Sequence, residues 1–233
     1  MNVVITGASR GIGRAIAEEF ASQGHNLFLC GRDETTLKST LEAIMARYPG
    51  VKVKAKARDL SIKEEAQAFG KWIIDNGYPI DILVNNAGQF IPGSIYNEED
   101  GVLEQMISVN LYSAYHLTRV LVPELIRKKS GHIFNISSIA ALKAYANGGS
   151  YSISKYALHG FSKNLREELK PFNIKVTTVF PGAVFTDSWG DFDNSAHRIM
   201  EATDVAKMIF AASQLSPGAC VEDIVLRPQL GDL

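Results

Sequence analysis

With 233 residues the chain can bury one sizeable core, at a length common for single α/β domains. Its composition is 46% hydrophobic and 21% charged with a net charge of −1, which gives no basic excess for nucleic acid and no net-charge case for steering an acidic substrate. No apolar run approaches the ~20 residues of a membrane helix, and a strand beginning at residue 2 leaves no room for a signal peptide, so no membrane partner and a cytoplasmic location are the expectation.

Asn2 to Thr6 is a short apolar, β-branched run of the kind found in a buried parallel strand. Gly7-Ala8-Ser9-Arg10-Gly11-Ile12-Gly13 follows, and Arg14 to Gln23 has helical spacing, with Ile12, Ile16, Ala17 and Phe20 on one side. A strand, a glycine turn and a helix form the frame of a dinucleotide phosphate site. Glycines let the backbone approach the pyrophosphate, and the helix N-terminus presents free N–H groups to it. The spacing is Gly-x-x-x-Gly-x-Gly rather than the commoner Gly-x-Gly-x-x-Gly, and an ordinary turn rich in small residues is the competing reading.

The next strand, Asn26 to Cys30, ends Cys30-Gly31-Arg32 without the carboxylate that would bond the 2′-hydroxyl of NAD. Arg32 can contact a 2′-phosphate, with Arg10 as a second guanidinium, which favours NADP(H). Asp33 competes as a ribose acceptor, but it stands where a helix N-cap is expected before Glu34 to Arg47. The pattern then predicts strand Val51 to Ala57, helix Ile62 to Asn76, strand Ile80 to Asn85, and a long helix from Gly101 to Lys128 interrupted at Pro123. His132 to Ser137 is a strand, Tyr151 to Lys170 a helix, Lys175 to Phe180 a strand, Ala202 to Ser213 a helix and Asp223 to Leu226 a last strand. This alternation implies a parallel sheet with helices on both faces, and with no repeat or linker it is one domain over residues 1–233.

Tyr151 and Lys155 are four apart, hence on one face of their helix. A phenol beside an ammonium is a tunable proton donor, although Tyr-x-x-x-Lys alone usually marks only a solvated helix face. A free phenol has a pKa of ~10, and moving it near 7 takes roughly 4 kcal/mol. One ammonium at ~4 Å supplies about that much at an effective dielectric near 20, so Lys155 is expected to draw Tyr151 down. Cys30 and Cys220 are read as reduced and structural. The five histidines show no ligand spacing, so no metal site is expected.

Taken together, these residues resemble the short-chain dehydrogenase/reductase family across essentially the whole chain. Thr6 to Gly13, Asp59-Leu60, Asn85-Asn86-Ala87-Gly88, Asn110, Ile136-Ser137-Ser138, Tyr151-x-x-x-Lys155 and Pro181-Gly182 with Thr186 occur in the family's order. The resemblance implies a Rossmann-type doubly wound sheet of seven parallel strands in the order 3-2-1-4-5-6-7. It implies a catalytic set of Asn110, Ser138, Tyr151 and Lys155, with Tyr151 protonating a carbonyl that receives hydride from NADP(H). Ser138 would hold the carbonyl, Lys155 the nicotinamide ribose, and Asn110 a water that refills the proton. Gly7, Ser9, Arg10, Gly11, Ile12, Gly13, Arg32, Asp59, Leu60, Asn86, Ala87, Gly88, Pro181, Gly182, Val184 and Thr186 would join Tyr151 and Lys155 against the cofactor.

Each assignment has a plainer alternative. Asp59 can cap the helix near Ile62, the Asn85–Gly88 stretch can be a simple turn, and Asn110 can be a solvated helix position. Leu111, Ala114, Tyr115, Leu117, Thr118 and Leu121, with Ala157, Leu158, Phe161 and Leu165, are first of all core; in the family these two helices also pair subunits, implying a homodimer or homotetramer. A substrate loop is expected over about 183–202, containing Phe185, Ser188, Trp189, Asp191, Phe192 and Asp193. With Phe90 and Tyr145 these suggest an apolar, partly aromatic pocket, unless Trp189 and Phe192 only pack a lid. The tail from Val225 to Asp232 is similar to that of bacterial sepiapterin reductase-like members and lacks the Asn-Gly-Gly ending usual in 3-oxoacyl-carrier-protein reductases. A small ketone or pterin-like carbonyl is therefore favoured over a 3-oxoacyl thioester. A binder that senses NADP(H) without turnover is the other class; intact Ser138, Tyr151 and Lys155 weigh against it.

Overall fold

The structure is a computed structural model describing residues 1–232; of Ser188, assigned above to the substrate loop, only the main chain is described. Chain order runs β1 (Asn2–Ile5), α1 (Gly11–Ser22), β2 (Asn26–Gly31), α2 (Glu34–Arg47), β3 (Val53–Ala57), α3 (Lys63–Asp75), β4 (Ile82–Asn85) and α4 (Val102–Ile107). A π turn (Ser108–Tyr112) leads into α5 (Ser113–Lys128), followed by β5 (Gly131–Ile136), α6 (Gly149–Leu169) and β6 (Ile174–Pro181). Two short strands, β7 (Val184–Phe185) and β8 (Met200–Glu201), precede α7 (Ala202–Ser213) and β9 (Asp223–Leu226). Seven strands form one sheet in the order β3-β2-β1-β4-β5-β6-β9, all neighbours parallel. This is the expected doubly wound arrangement, with β9 as its seventh strand.

The two-residue period of a strand divides the core between the sheet's faces. Val3, Ile5, Leu27, Leu29, Ile82 and Val84 pack with Ile16 and Phe20 of α1, Leu37 and Ile44 of α2, and Val205 and Ile209 of α7. Their alternates Val4, Phe28 and Leu83 face Phe69 and Ile73 of α3, Leu117 and Leu121 of α5, and Leu165 of α6. Both faces of the central strands are therefore covered, which is why β1, β2 and β4 read as unbroken apolar runs rather than alternating ones.

The long helix departs from its sequence reading. Pro123 lies inside α5 without ending it, and the irregularity falls at Ser108–Tyr112, centred on Asn110. A π turn widens the helix by one residue and is common at functional sites. Here the cause is long-range bonding by Asn110, given below, which helical periodicity does not report. The predicted substrate loop likewise contains an unanticipated parallel ladder, Val184 with Met200 and Phe185 with Glu201. Among the described residues, no helix is long and apolar enough to cross a membrane.

Candidate active site

Because the strands are parallel, their C-terminal ends share one edge of the sheet. That edge gathers the glycine turn after β1, Arg32 after β2, Asp59-Leu60 after β3, Asn86-Ala87-Gly88 after β4, Ser138 after β5 and Pro181-Gly182 at β6. Every residue predicted for the site comes from this edge or from α1, the π turn, α6 and the loop beyond β6.

The glycine turn is built for close approach. Gly7 and Gly11 have φ of +62° and +55°, a region that favours glycine. A Cβ on Gly13 would lie 2.1 Å from the Gly7 carbonyl oxygen and 2.5 Å from Asn86 Nδ2. The Thr6 hydroxyl accepts from the N–H groups of Asn86 and Ala87, both at 2.9 Å, while the Asn86 amide donates to the carbonyls of Thr6 (3.0 Å) and Gly7 (3.1 Å). Asn86 thus shapes the turn with its side chain, and Thr6, just beyond β1, ties the start of the loop after β4 to it.

Helix α1 starts at Gly11 with no side-chain cap from Arg10 and no acidic residue in its first turn. Its N-terminal partial charge is left for an anionic ligand. The turn is stitched to β2 by Ala8 N–H to the Cys30 carbonyl (2.9 Å), and Ser9 packs so closely on Gly31 that a Cβ there would lie 3.2 Å from Ser9 Oγ. Arg10 and Arg32, both exposed, have no ion pair among the described residues. Asp33 accepts from the N–H of Thr36 at 2.7 Å as the cap of α2. Those hydrogen bonds hold its carboxyl below the ordinary value. Asp33 is thus the helix cap that its position before Glu34 implied. Asp59 does not cap α3, whose N-cap is Ile62; its carboxylate bonds the Ser61 N–H (3.0 Å) and hydroxyl (2.7 Å), while the Leu60 side chain is buried.

Asn110 is 1% exposed, so the solvated alternative is overturned. Its amide donates to the Gln89 carbonyl (3.0 Å) and Ser154 Oγ (2.8 Å), and its oxygen accepts from Gln89 N–H (2.8 Å). These bonds tie the loop after β4 to the π turn and to α6, and they account for the turn's position. A Cβ on Gly88 would fall 3.2 Å from Asn110 Oδ1 and 3.4 Å from Lys155 Nζ, so this glycine keeps the space between them.

Ser138, in extended conformation, caps a short 3₁₀ turn, its Oγ accepting from Ala140 N–H at 3.1 Å. The same hydroxyl hydrogen-bonds the Tyr151 phenol. Lys155, 4% exposed, donates to the Ile136 carbonyl at 3.0 Å, with Nζ 5.7 Å from the Tyr151 ring centroid. Burial lowers Lys155 to about 8, which leaves it charged at neutral pH. Burial also pushes Tyr151 up to about 12, against the pull of the Ser138 hydrogen bond and with a further push from Tyr145. The phenol therefore moves opposite to the sequence expectation. The ammonium is held on main chain instead of on the phenol oxygen, and desolvation decides the sign.

The aromatic surround is partly as expected. Phe90 is half-exposed and meets Tyr151 edge-to-face, with centroids 4.8 Å apart, and Tyr145 is half-exposed beside it. Trp189 and Phe192 pack on each other at 5.1 Å, and the Trp189 indole donates to the Val184 carbonyl at 2.8 Å, so the loop folds on its own aromatics. Thr186 bends over the glycine turn, 3.2 Å from where a Gly11 Cβ would be. Pro181 ends β6, and Gly182 donates to the Leu226 carbonyl at 2.8 Å. Arg198 holds the tail carbonyls of Gly231 (3.0 Å) and Asp232 (3.1 Å). Among the described residues, no three His, Cys, Asp or Glu side chains form a metal-binding group.

The chain is 34% identical to an uncharacterized oxidoreductase of Staphylococcus saprophyticus, over 97% of its length and 96% of the relative's. It is 32% identical to a sepiapterin reductase of Chlorobaculum tepidum, over 99% and 97% of the two lengths. A crystal structure of a metagenomic short-chain oxidoreductase in complex with NADP superposes with a TM-score of 0.85, at 31% identity, over 98% of this chain and 97% of that one. The sequence model of the short chain dehydrogenase family matches residues 1–196, and with the glycine turn, the seven-stranded sheet and the Ser138–Tyr151–Lys155 cluster the chain belongs to the short-chain dehydrogenase family of oxidoreductases.

Proposed function

We propose that the chain is an NADP(H)-dependent reductase that converts a small ketone or pterin-like carbonyl to an alcohol, with Tyr151 as proton donor. The observation that carries this reading is the junction of Ser138, Tyr151 and Lys155, three groups from β5 and α6 meeting at the sheet edge that also bears the glycine turn. The uncapped, unneutralised α1 N-terminus with its Gly13 cradle fits a dinucleotide pyrophosphate, and Arg10 and Arg32, which have no ion pair among the described residues, fit a 2′-phosphate. Two neighbouring structures, the metagenomic oxidoreductase and an L-sorbose reductase, contain NADP and NADPH respectively.

The nicotinamide, when bound, supplies the hydride that reduces the carbonyl carbon. The chain's residues handle the oxygen. Ser138 donates a hydrogen bond to the carbonyl oxygen, and as negative charge develops there the Tyr151 O–H transfers its proton to it. A phenol at about 12 keeps its proton at pH 7 yet is far more acidic than an alcohol, so donation to an alkoxide runs downhill. The charged Lys155 then stabilises the phenolate left behind. Both N–H donors of Asn110 are committed to Gln89 and Ser154, so its side chain serves the proton path by fixing the loop after β4 against α6. Half-exposed Phe90 and Tyr145 give the carbonyl an aromatic flank, suited to a flat or apolar substrate.

Exposed Tyr112 at the end of the π turn, with Ile153 and Tyr156 on α6, supports a homodimer or homotetramer, testable by analytical ultracentrifugation. The functional test is NADPH oxidation, with NADH alongside, over diketones, aromatic aldehydes, sepiapterin and 3-oxoacyl thioesters. Turnover of one class, lost in Tyr151→Phe while NADPH still binds, is the expected result. Retained turnover in that variant would overturn the role of Tyr151.

A further inference from the structure

Helix α6 carries both Tyr151 and Lys155, yet its own N-cap residue, Gly148, provides no side-chain bond. The cap comes from elsewhere. Glu98, in the loop between β4 and α4, accepts from the Ser150 hydroxyl through one carboxylate oxygen and from the Ser150 N–H, at 3.3 Å, through the other. Ser150 is 1% exposed and immediately precedes Tyr151, so a carboxylate meets a buried helix N-terminus at the residue next to the phenol. That is the end where a negative charge is stabilised.

The contact is reinforced on both sides. Gly93 N–H donates to the Asn147 carbonyl at 3.1 Å, and Ser94 Oγ to Asn147 Oδ1 at 3.0 Å. Asn147 and Gly149 adopt φ of +59° and +32°, and a Cβ on Gly149 would lie 2.4 Å from the Gly93 carbonyl oxygen. The chain is thus bent into positive φ where the two loops touch. The loop that Glu98 anchors also carries Phe90, whose ring meets Tyr151, and at its other end Gln89, which Asn110 holds. Tyr151 is therefore fixed on one side by the Asn110–Ser154 bond and on the other by Glu98.

We propose that Glu98 is a positioning residue for Tyr151, acting as an N-cap supplied to the catalytic helix by the loop before α4 and joining the proton donor to the pocket wall bearing Phe90. The proposal rests on the reading of Tyr151 as proton donor, and its first readout is independent of turnover. A meta-fluorotyrosine is installed at position 151 or, as a control on the same helix, at exposed Tyr156, and ¹⁹F spectra are compared with and without Glu98→Ala. The expected result is a shifted or broadened resonance at 151, an unchanged one at 156 and unaltered NADPH affinity. With the substrate found above, kcat falls about ten- to a hundredfold, as for a reacting group displaced by ~1 Å, and Glu98→Asp recovers part of it.

A resonance at 151 that does not respond in the folded variant overturns the proposal, as does an equal response at 156, which would signal general loosening of α6. Should Glu98→Ala fail to fold, Ser150→Ala removes one of the two bonds and must give the same selective change in smaller measure; no change at 151 there overturns it too. If the wild type reduces no carbonyl, the reductase reading falls while the ¹⁹F comparison still decides the role of Glu98.

Discussion

Gly13 sets two physical effects against each other. It is the third residue of α1, where alanine is favoured over glycine by roughly 0.5–1 kcal/mol on conformational grounds. Packing opposes this. The new Cβ would sit 2.1 Å from the Gly7 carbonyl oxygen, which is main chain that Asn86 holds in place, so the turn must move by close to an ångström. Overpacking of this kind costs about 1–3 kcal/mol, so Gly13→Ala is expected to destabilise by about 1–2 kcal/mol net, a fall in Tm of roughly 2–8 °C at this chain length. Gly160, on the exposed side of α6, has nothing within 4 Å of its Cβ position. Gly160→Ala should therefore raise Tm by about 1–4 °C, since propensity acts there alone. Calorimetry of both variants, with NADPH affinity by titration, makes the comparison; the displaced turn should weaken NADPH about tenfold, or 1.4 kcal/mol. A Gly13→Ala protein that melts at or above wild type, or binds NADPH equally well, would refute the close-approach argument.

Replacing Arg10 and Arg32 together by alanine should weaken NADPH by about a hundredfold, two charge-assisted contacts at roughly 1.5 kcal/mol each, and leave NADH almost unchanged. Equal losses for both cofactors in paired titrations would remove the 2′-phosphate assignment. His132 gives an acid-stability prediction: burial lowers it from 6.5 to about 3, with its Nε2 on Thr177 Oγ1 at 2.7 Å. The unfolded chain takes up this proton as pH falls below 6.5 and the folded chain does not, so stability is intact above 6.5 and is lost progressively toward pH 3. Across that window of 3.5 units the loss is about 5 kcal/mol. His132→Phe should flatten this part of a urea-unfolding series against pH; an unchanged slope would mean other groups carry it.

Much of the sheet order and the cofactor edge was legible because parallel strands leave short apolar runs and because chemistry collects at their C-terminal ends. The glycine turn, Asp33 as a cap and the shared helix face of Tyr151 and Lys155 follow from local pattern and helical spacing. What escaped has long-range causes. The π turn at Asn110 is produced by Gln89, 21 residues upstream, and Ser154, 44 downstream. Glu98 reaches across 52 residues to Ser150, and nothing in Asn97-Glu98-Glu99 distinguishes it from a solvated acidic run. Asp59 was a reasonable helix cap by spacing, but α3 starts at Lys63 and the carboxylate closes a local turn on Ser61. The sign of the Tyr151 shift depends on where Lys155 Nζ points, which no sequence pattern encodes.

The position of β1 in the sheet has a consequence for biosynthesis. Val3 and Ile5 pair on one side with Leu27 and Leu29, close by in the chain, and on the other with Ile82 and Val84, 79 residues on. At translation speeds of ~5–20 residues per second, the far side of β1 waits roughly 4–16 s for its partner to be made. During that interval β1, β2 and β3 can assemble only a half-sheet whose open edge is Val3-Val4-Ile5, apolar and uncharged, the type of edge that recruits foreign strands. The edge of β1 thus stays unpaired until β4 is made, and the arrival of β4, which seals it, also places Asn86 against the glycine turn.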